Sequence, residues 1–99
     1  MIEKIKSEDV DYLFGAFMCL ETIEEFYAFF EDICTISEVV EMSKRLKAAR
    51  LLKGGAVYSE ISEKTTLSTA TISRVSKCLK YGSGGYALAL ERLEKNEPN

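Results

Sequence analysis

The sequence predicts an all-α fold of six helices, and three observations predict it. A chain of 99 residues holds one proline, Pro98. No stretch sustains the apolar and polar alternation of a half-buried strand. Hydroxyl residues that cap helices stand ahead of apolar-periodic runs at Ser7, Thr22, Thr35 and Ser68.

Ser7 caps a first helix running to about Leu20. Thr22 and Glu25 form a capping box for a second, to about Ile33, because a hydroxyl and a carboxylate three residues apart can each take a free first-turn amide. Thr35 and Glu38 repeat the box for a long third helix. That helix ends before Gly54-Gly55, where glycine accepts the left-handed backbone of a helix stop. Tyr58–Tyr81, YSEISEKTTLSTATISRVSKCLKY, reads as two short helices joined by a tight turn. Ile61 and Thr65 share a face of the first, and Leu67 sits in the turn. Ile72, Val75 and Leu79 make one apolar stripe on the second, which Ser68 caps. Such a turn often carries glycine; here the candidate is Thr66, which predicts strain or a different turn. Gly82, Gly84 and Gly85 form a flexible connection to a last helix, Tyr86–Lys95, with Leu88, Leu90 and Leu93. Residues 1–99 thus form one helical domain. It comprises aromatic helices over 1–34, a long helix over 35–55, a helical pair over 56–81 and a terminal helix over 86–95.

The pair over 56–81 has the form of a helix-turn-helix that lays its second helix in a DNA major groove. Opposite the stripe, at about 100° per residue, lie Ala70, Ser73, Arg74, Lys77 and Tyr81. Small side chains at the front let the backbone approach bases, and basic ones farther along meet phosphates. Charge is partitioned in the same sense. The chain is acidic at net −3, but residues 1–42 hold Lys4 and Lys6 against eleven acids, net −9. Residues 43–81 hold nine bases against Glu60 and Glu63, net +7, and residues 82–99 are net −1. The distribution of charge, not its total, marks a nucleic-acid binder. The plainer alternative is a solvated amphipathic hairpin, with Arg50 and Lys53 only complementing a helix dipole.

Composition narrows the other classes. Cys19, Cys34 and Cys78 are widely spaced and the chain has no histidine. This argues against a zinc site and a disulfide framework, and suits a reducing cytoplasm. No apolar leader region opens the N-terminus, and the longest apolar stretch, Tyr12–Leu20, is too short to span a bilayer. No nucleophile, base and orienting group stand at a recognisable spacing, so neither an enzyme, a cofactor nor a metal is expected.

Seven of the ten aromatics are Tyr12, Phe14, Phe17, Phe26, Tyr27, Phe29 and Phe30. On two helices they cannot all face one core, and the four from Phe26 to Phe30 cover most of a circumference. Dimerisation through these helices is the economical solution for a small chain. The alternative is a monomer packed with oversized side chains.

ATISRVSKCLK at 70–80, with LLKGG at 51–55, resembles the Trp repressor family, and more closely its short bacterial relatives of the YerC/YecD group. The resemblance is strong from about Thr35 onward; before that it rests on helix order and aromatic character. It implies a six-helix fold whose two chains interlock through their N-terminal helices, a helix-turn-helix at each end of the homodimer, and transcriptional regulation. The family's DNA-contacting positions fall on Ser59, Ser62, Thr69, Ala70, Thr71, Ser73 and Lys80. Of the two arginines that sandwich its tryptophan ligand, one matches Arg74 and the other aligns with Lys44, with Arg45 next door. The glycine beside the ring is Val75 here, and a nearby serine is Cys78. These departures argue against tryptophan as ligand and leave the DNA surface intact.

The expected protein is a homodimeric DNA-binding regulator. Thr69, Ala70, Thr71 and Ser73 approach base edges of double-stranded DNA; Lys77 and Lys80, with Ser59 and Ser62, hold phosphates. Arg74 serves the DNA or an effector pocket with Lys44, Arg45, Val75 and Cys78, whose small effector the sequence does not name. The rival is a protein-interaction module working through the aromatic helices. RNA binding fits less well, since no aromatic lies between Thr65 and Leu79 for a base to stack on.

Overall fold

A computed structural model describes residues 2–96, and all of its regular structure among them is helical. Seven helices follow in order: α1 (Ile2–Ile5), α2 (Glu8–Cys19), α3 (Ile23–Ile33), α4 (Ile36–Lys53), α5 (Tyr58–Thr65), α6 (Thr69–Tyr81) and α7 (Gly85–Asn96). The expected count of six is one short. The addition is α1, a single turn of four residues ahead of the Ser7 cap.

Local chemistry explains the ends. Ser7 Oγ accepts from the Val10 amide at 3.1 Å, and Ser68 Oγ from the Thr71 amide at 3.2 Å. Thr35 and Glu38 close a complete capping box, at 3.1 Å from the Glu38 amide to Thr35 Oγ1 and 2.7 Å from the Thr35 amide to Glu38 Oε1. The Thr35 amide, and to a smaller extent the Thr35 hydroxyl, favour the ionised carboxylate and hold Glu38 below its usual pKa. The box at Thr22 is only half formed. Thr22 Oγ1 accepts from the Glu25 amide, but Glu25 Oε1 reaches past Thr22 to the Glu21 amide at 2.7 Å. At the far end of α4 the Ala56 amide bonds to Leu51 O and the Gly55 amide to Leu52 O, both at 3.0 Å, with Gly55 at φ 90°. This is the paired-bond stop that a glycine makes possible.

The chain forms two compact units, one ending at Val39 and the other beginning at Val40. In the first, Phe17 gathers the aromatics. Its ring stacks on Phe30 at 5.2 Å, meets Phe29 edge-on at 5.6 Å and lies 5.9 Å from Phe14. No residue of α2 or α3 is buried all the same.

The second unit closes two adjoining cores. Ala48, Ile61, Leu67 and Ile72 make one, backed by Leu51, Leu52 and Ala56. Ala49, Val75 and Leu90 make the other, backed by Leu46, Leu79 and Tyr86. The neighbouring alanines of α4 are both fully buried, one in each core. Their lack of bulk lets α5, α6 and α7 approach the α4 backbone. Of the three leucines of α7, Leu90 is buried while Leu88 and Leu93 are about half exposed. No described helix is long and apolar enough to cross a membrane.

Candidate nucleic-acid interface

Helix α6 is held by its inner face, where Ile72, Val75 and Ser76 are buried. Its outer face presents Thr69, Ala70, Arg74, Lys77 and Lys80 exposed, with Thr71 and Ser73 half-buried at the edge. The helix contains no acidic residue, and no carboxylate among the described residues pairs with Arg74, Lys77 or Lys80. Ser68 Oγ donates to Thr71 Oγ1 at 3.1 Å, so Thr71 keeps its own hydroxyl proton for an outside acceptor.

The structure sorts the rest of the basic block differently. Lys53 pairs with Glu94 at 3.2 Å, Arg45 with Glu41 at 3.4 Å and Lys64 with Glu60 at 4.0 Å. Lys44 donates to Thr66 Oγ1 at 2.9 Å. Lys47 and Arg50 of α4 are exposed and, like the three bases of α6, pair with no carboxylate among the described residues, so free cationic charge stands on both helices.

The turn between α5 and α6 is built from hydroxyls. Thr66 adopts the left-handed conformation, φ 62° and ψ 12°, the one non-glycine residue among those described to do so. Buried Thr65 donates to Ile61 O at 2.7 Å and accepts from the Leu67 amide at 3.2 Å. Ser62 donates to Leu67 O at 2.8 Å. That bond occupies the proton Ser62 would need for a phosphate, an acceptor only, so Ser62 serves the turn; Ser59 is exposed on the same helix.

The five candidate effector positions stand in different surroundings. Val75 is 3% exposed in the core with Ala49 and Leu90. Lys44 is turned to Thr66, whereas Arg45 and Cys78 lie close enough to Tyr86 to influence its ionisation. Burial raises the Tyr86 phenol above its usual pKa, Cys78 adds to the rise and Arg45 opposes it. Tyr86 had no expected role; its one sequence signal is an aromatic in the first turn of the last helix. A groove of about 350 Å³ lies between α4 and α7, lined by Ser43, Leu46, Lys47, Arg50, Leu90, Leu93 and Glu94, and includes none of the five.

Two short helices joined by a tight turn, with the second presenting unpaired cations, define a helix-turn-helix protein. The chain belongs to the Trp repressor family, whose model, described as Trp repressor protein, matches residues 8–94. It is 44% identical over 96 residues to the uncharacterized protein YerC of Bacillus subtilis (strain 168), across 97% of this chain and 92% of YerC. The crystal structure of a TrpR-like protein from Eubacterium eligens superposes with a TM-score of 0.89 at 45% identity, covering 97% of this chain and 99% of that one. A candidate Trp repressor from Staphylococcus aureus gives a TM-score of 0.90 at 41% identity, covering 100% and 98%.

Proposed function

We propose that this protein is a cytoplasmic, homodimeric, sequence-specific DNA-binding regulator of transcription, acting as a repressor and not responding to tryptophan. The outer face of α6 carries the reading: small polar residues at its start, three unpaired cations after them, and no acid. Membership of a repressor family supports it. Thr69, Ala70, Thr71 and Ser73 would face base edges, with Lys77, Lys80 and Ser59 on phosphates and Arg74 available to either.

The dimer is supported by the first unit, where Tyr12 and Met18 are 85% and 86% exposed and no residue of α2 or α3 is buried. Sedimentation at low micromolar concentration should return twice the chain mass of 11.1 kDa. The two reading helices should then stand about 34 Å apart, one DNA turn. A well-folded monomer would break this reading. Insensitivity to tryptophan is supported by Val75, which fills its site with core, and by Lys44, which is engaged at the turn. Calorimetry should find no saturable micromolar binding of tryptophan, and DNA affinity should not change when it is added.

Selection of bound sequences from a random DNA library, followed by two substitutions, tests the readout. Lys80→Ala should weaken binding to all sequences and lower the salt slope by about one; Thr71→Ala should blunt discrimination at one base position by about 1–3 kcal/mol. The exposed aromatic face favours a second reading, a protein-interaction module. It would prevail if both variants fold and neither changes DNA binding.

A further inference from the structure

We propose that Lys44 and Thr66 form a latch that holds α6 in its DNA-reading orientation from within the chain, so that this orientation needs no ligand. The purpose of the latch rests on the DNA-binding reading; its existence rests on the geometry of the turn.

Thr66 is a β-branched residue in a conformation that such residues rarely adopt. Glycine would sit there without steric cost. What threonine supplies and glycine lacks is Oγ1, which accepts from Lys44 Nζ at 2.9 Å and itself donates a hydrogen bond to Thr65 O. Strain of this kind persists where the surroundings over-determine it. Here the Thr66 amide bonds to Ser62 O at 2.8 Å, and Leu67, the next residue, is buried at 4% exposure.

The register of α4 places the lysine. Lys44 and Ala48 are four residues apart and share a helix face. Ala48 is packed with Ile61, Leu67 and Ile72 beneath the turn, so Lys44 stands one helical turn earlier and reaches over its edge. The latch therefore ties the long helix to the three-residue connection that sets the direction of α6. A chain whose competent orientation is only partly populated binds more weakly by that fraction. Lys44 acts on DNA through Thr66 and is a positioning residue, not a phosphate contact.

The test uses the full chain, the best sequence from the selection, and the variants Lys44→Met, Thr66→Gly, their double, and Thr66→Ser. Each single change that removes the bond should lower DNA affinity about fivefold, and the double should lose no more than either alone. Thr66→Ser keeps the hydroxyl and should bind within about twofold of the wild type. Thr66→Gly should melt no lower than the wild type, since strain relief offsets the lost bond. The salt slope of Lys44→Met should be unchanged. A slope lower by about one would make Lys44 a phosphate contact and overturn the latch, as would multiplicative losses in the double. Amide exchange over Leu67–Ala70 in the free protein decides independently of DNA. It should quicken about fivefold in Lys44→Met, and unchanged exchange overturns the latch. Absence of salt-dependent DNA binding by the wild type would instead break the DNA reading, and exchange would still report on the latch.

Discussion

The two units of the chain use opposite means to make a core. The unit ending at Val39 has the aromatics, with Phe14, Phe17, Phe26, Phe29 and Phe30 in ring contact, yet buries no residue of α2 or α3. The unit beginning at Val40 has few large rings and buries Ala48, Ala49, Ile61, Leu67, Ile72, Val75 and Leu90. Bulk at a helix contact keeps backbones apart, and two helices can enclose only one stripe of each. Alanines let four helices converge, so aliphatic side chains of ordinary size are enclosed on every side. Large apolar side chains make a core only when enough helices surround them, and the first unit lacks these in a single chain.

That contrast can be broken by truncation. Ile72→Ala should cost about 2–5 kcal/mol, read from urea unfolding, because a fully buried side chain leaves a cavity. An isolated chain would tolerate Tyr12→Ala or Met18→Ala within about 0.5 kcal/mol, as exposed positions do. If a second copy covers the first unit, each should cost about 1.5–3 kcal/mol per chain, and the unfolding midpoint should depend on protein concentration. Costs at Tyr12 and Met18 near zero at every concentration would show that face to be solvated.

Smaller effects sharpen the same comparison at the helix ends. Ser68→Ala should cost about 1 kcal/mol by removing the cap of α6, which sits in the packed unit. The smallest effect is the pH response of Glu38 at the start of α4. Its folded pKa is depressed, so its stabilisation is present above the unfolded value and is lost as pH falls through the folded one. Carboxyl titration by NMR should place its midpoint below that of an unstructured glutamate. A midpoint at or above that value would mean that the capping box is open in solution.

Much of the fold was legible because its signals are local. A cap acts over three residues and a glycine stop over five, so Ser7, Thr35, Ser68 and Gly54-Gly55 marked helix ends correctly. The spacing of Ile61, Thr65, Leu67, Ile72 and Val75 likewise identified the buried side of the helix-turn-helix. Glu25 shows the limit even of local signals, since a flexible carboxylate had two amides within reach and took that of Glu21.

What the sequence by itself determined was the helical class, most helix ends, and which face of α6 turns outward. Only the tertiary structure decided that Lys53 pairs with Glu94 and that Lys44 reaches Thr66, because those partners lie 41 and 22 residues away. It alone showed Ala48 and Ala49 to be the hub of two cores, since an alanine has the same local signature buried or exposed. It placed Leu90 inside and Leu88 and Leu93 half outside, although all three belong to one short helix. Periodicity states which side chains prefer burial; the number of helices that converge on them determines which are buried.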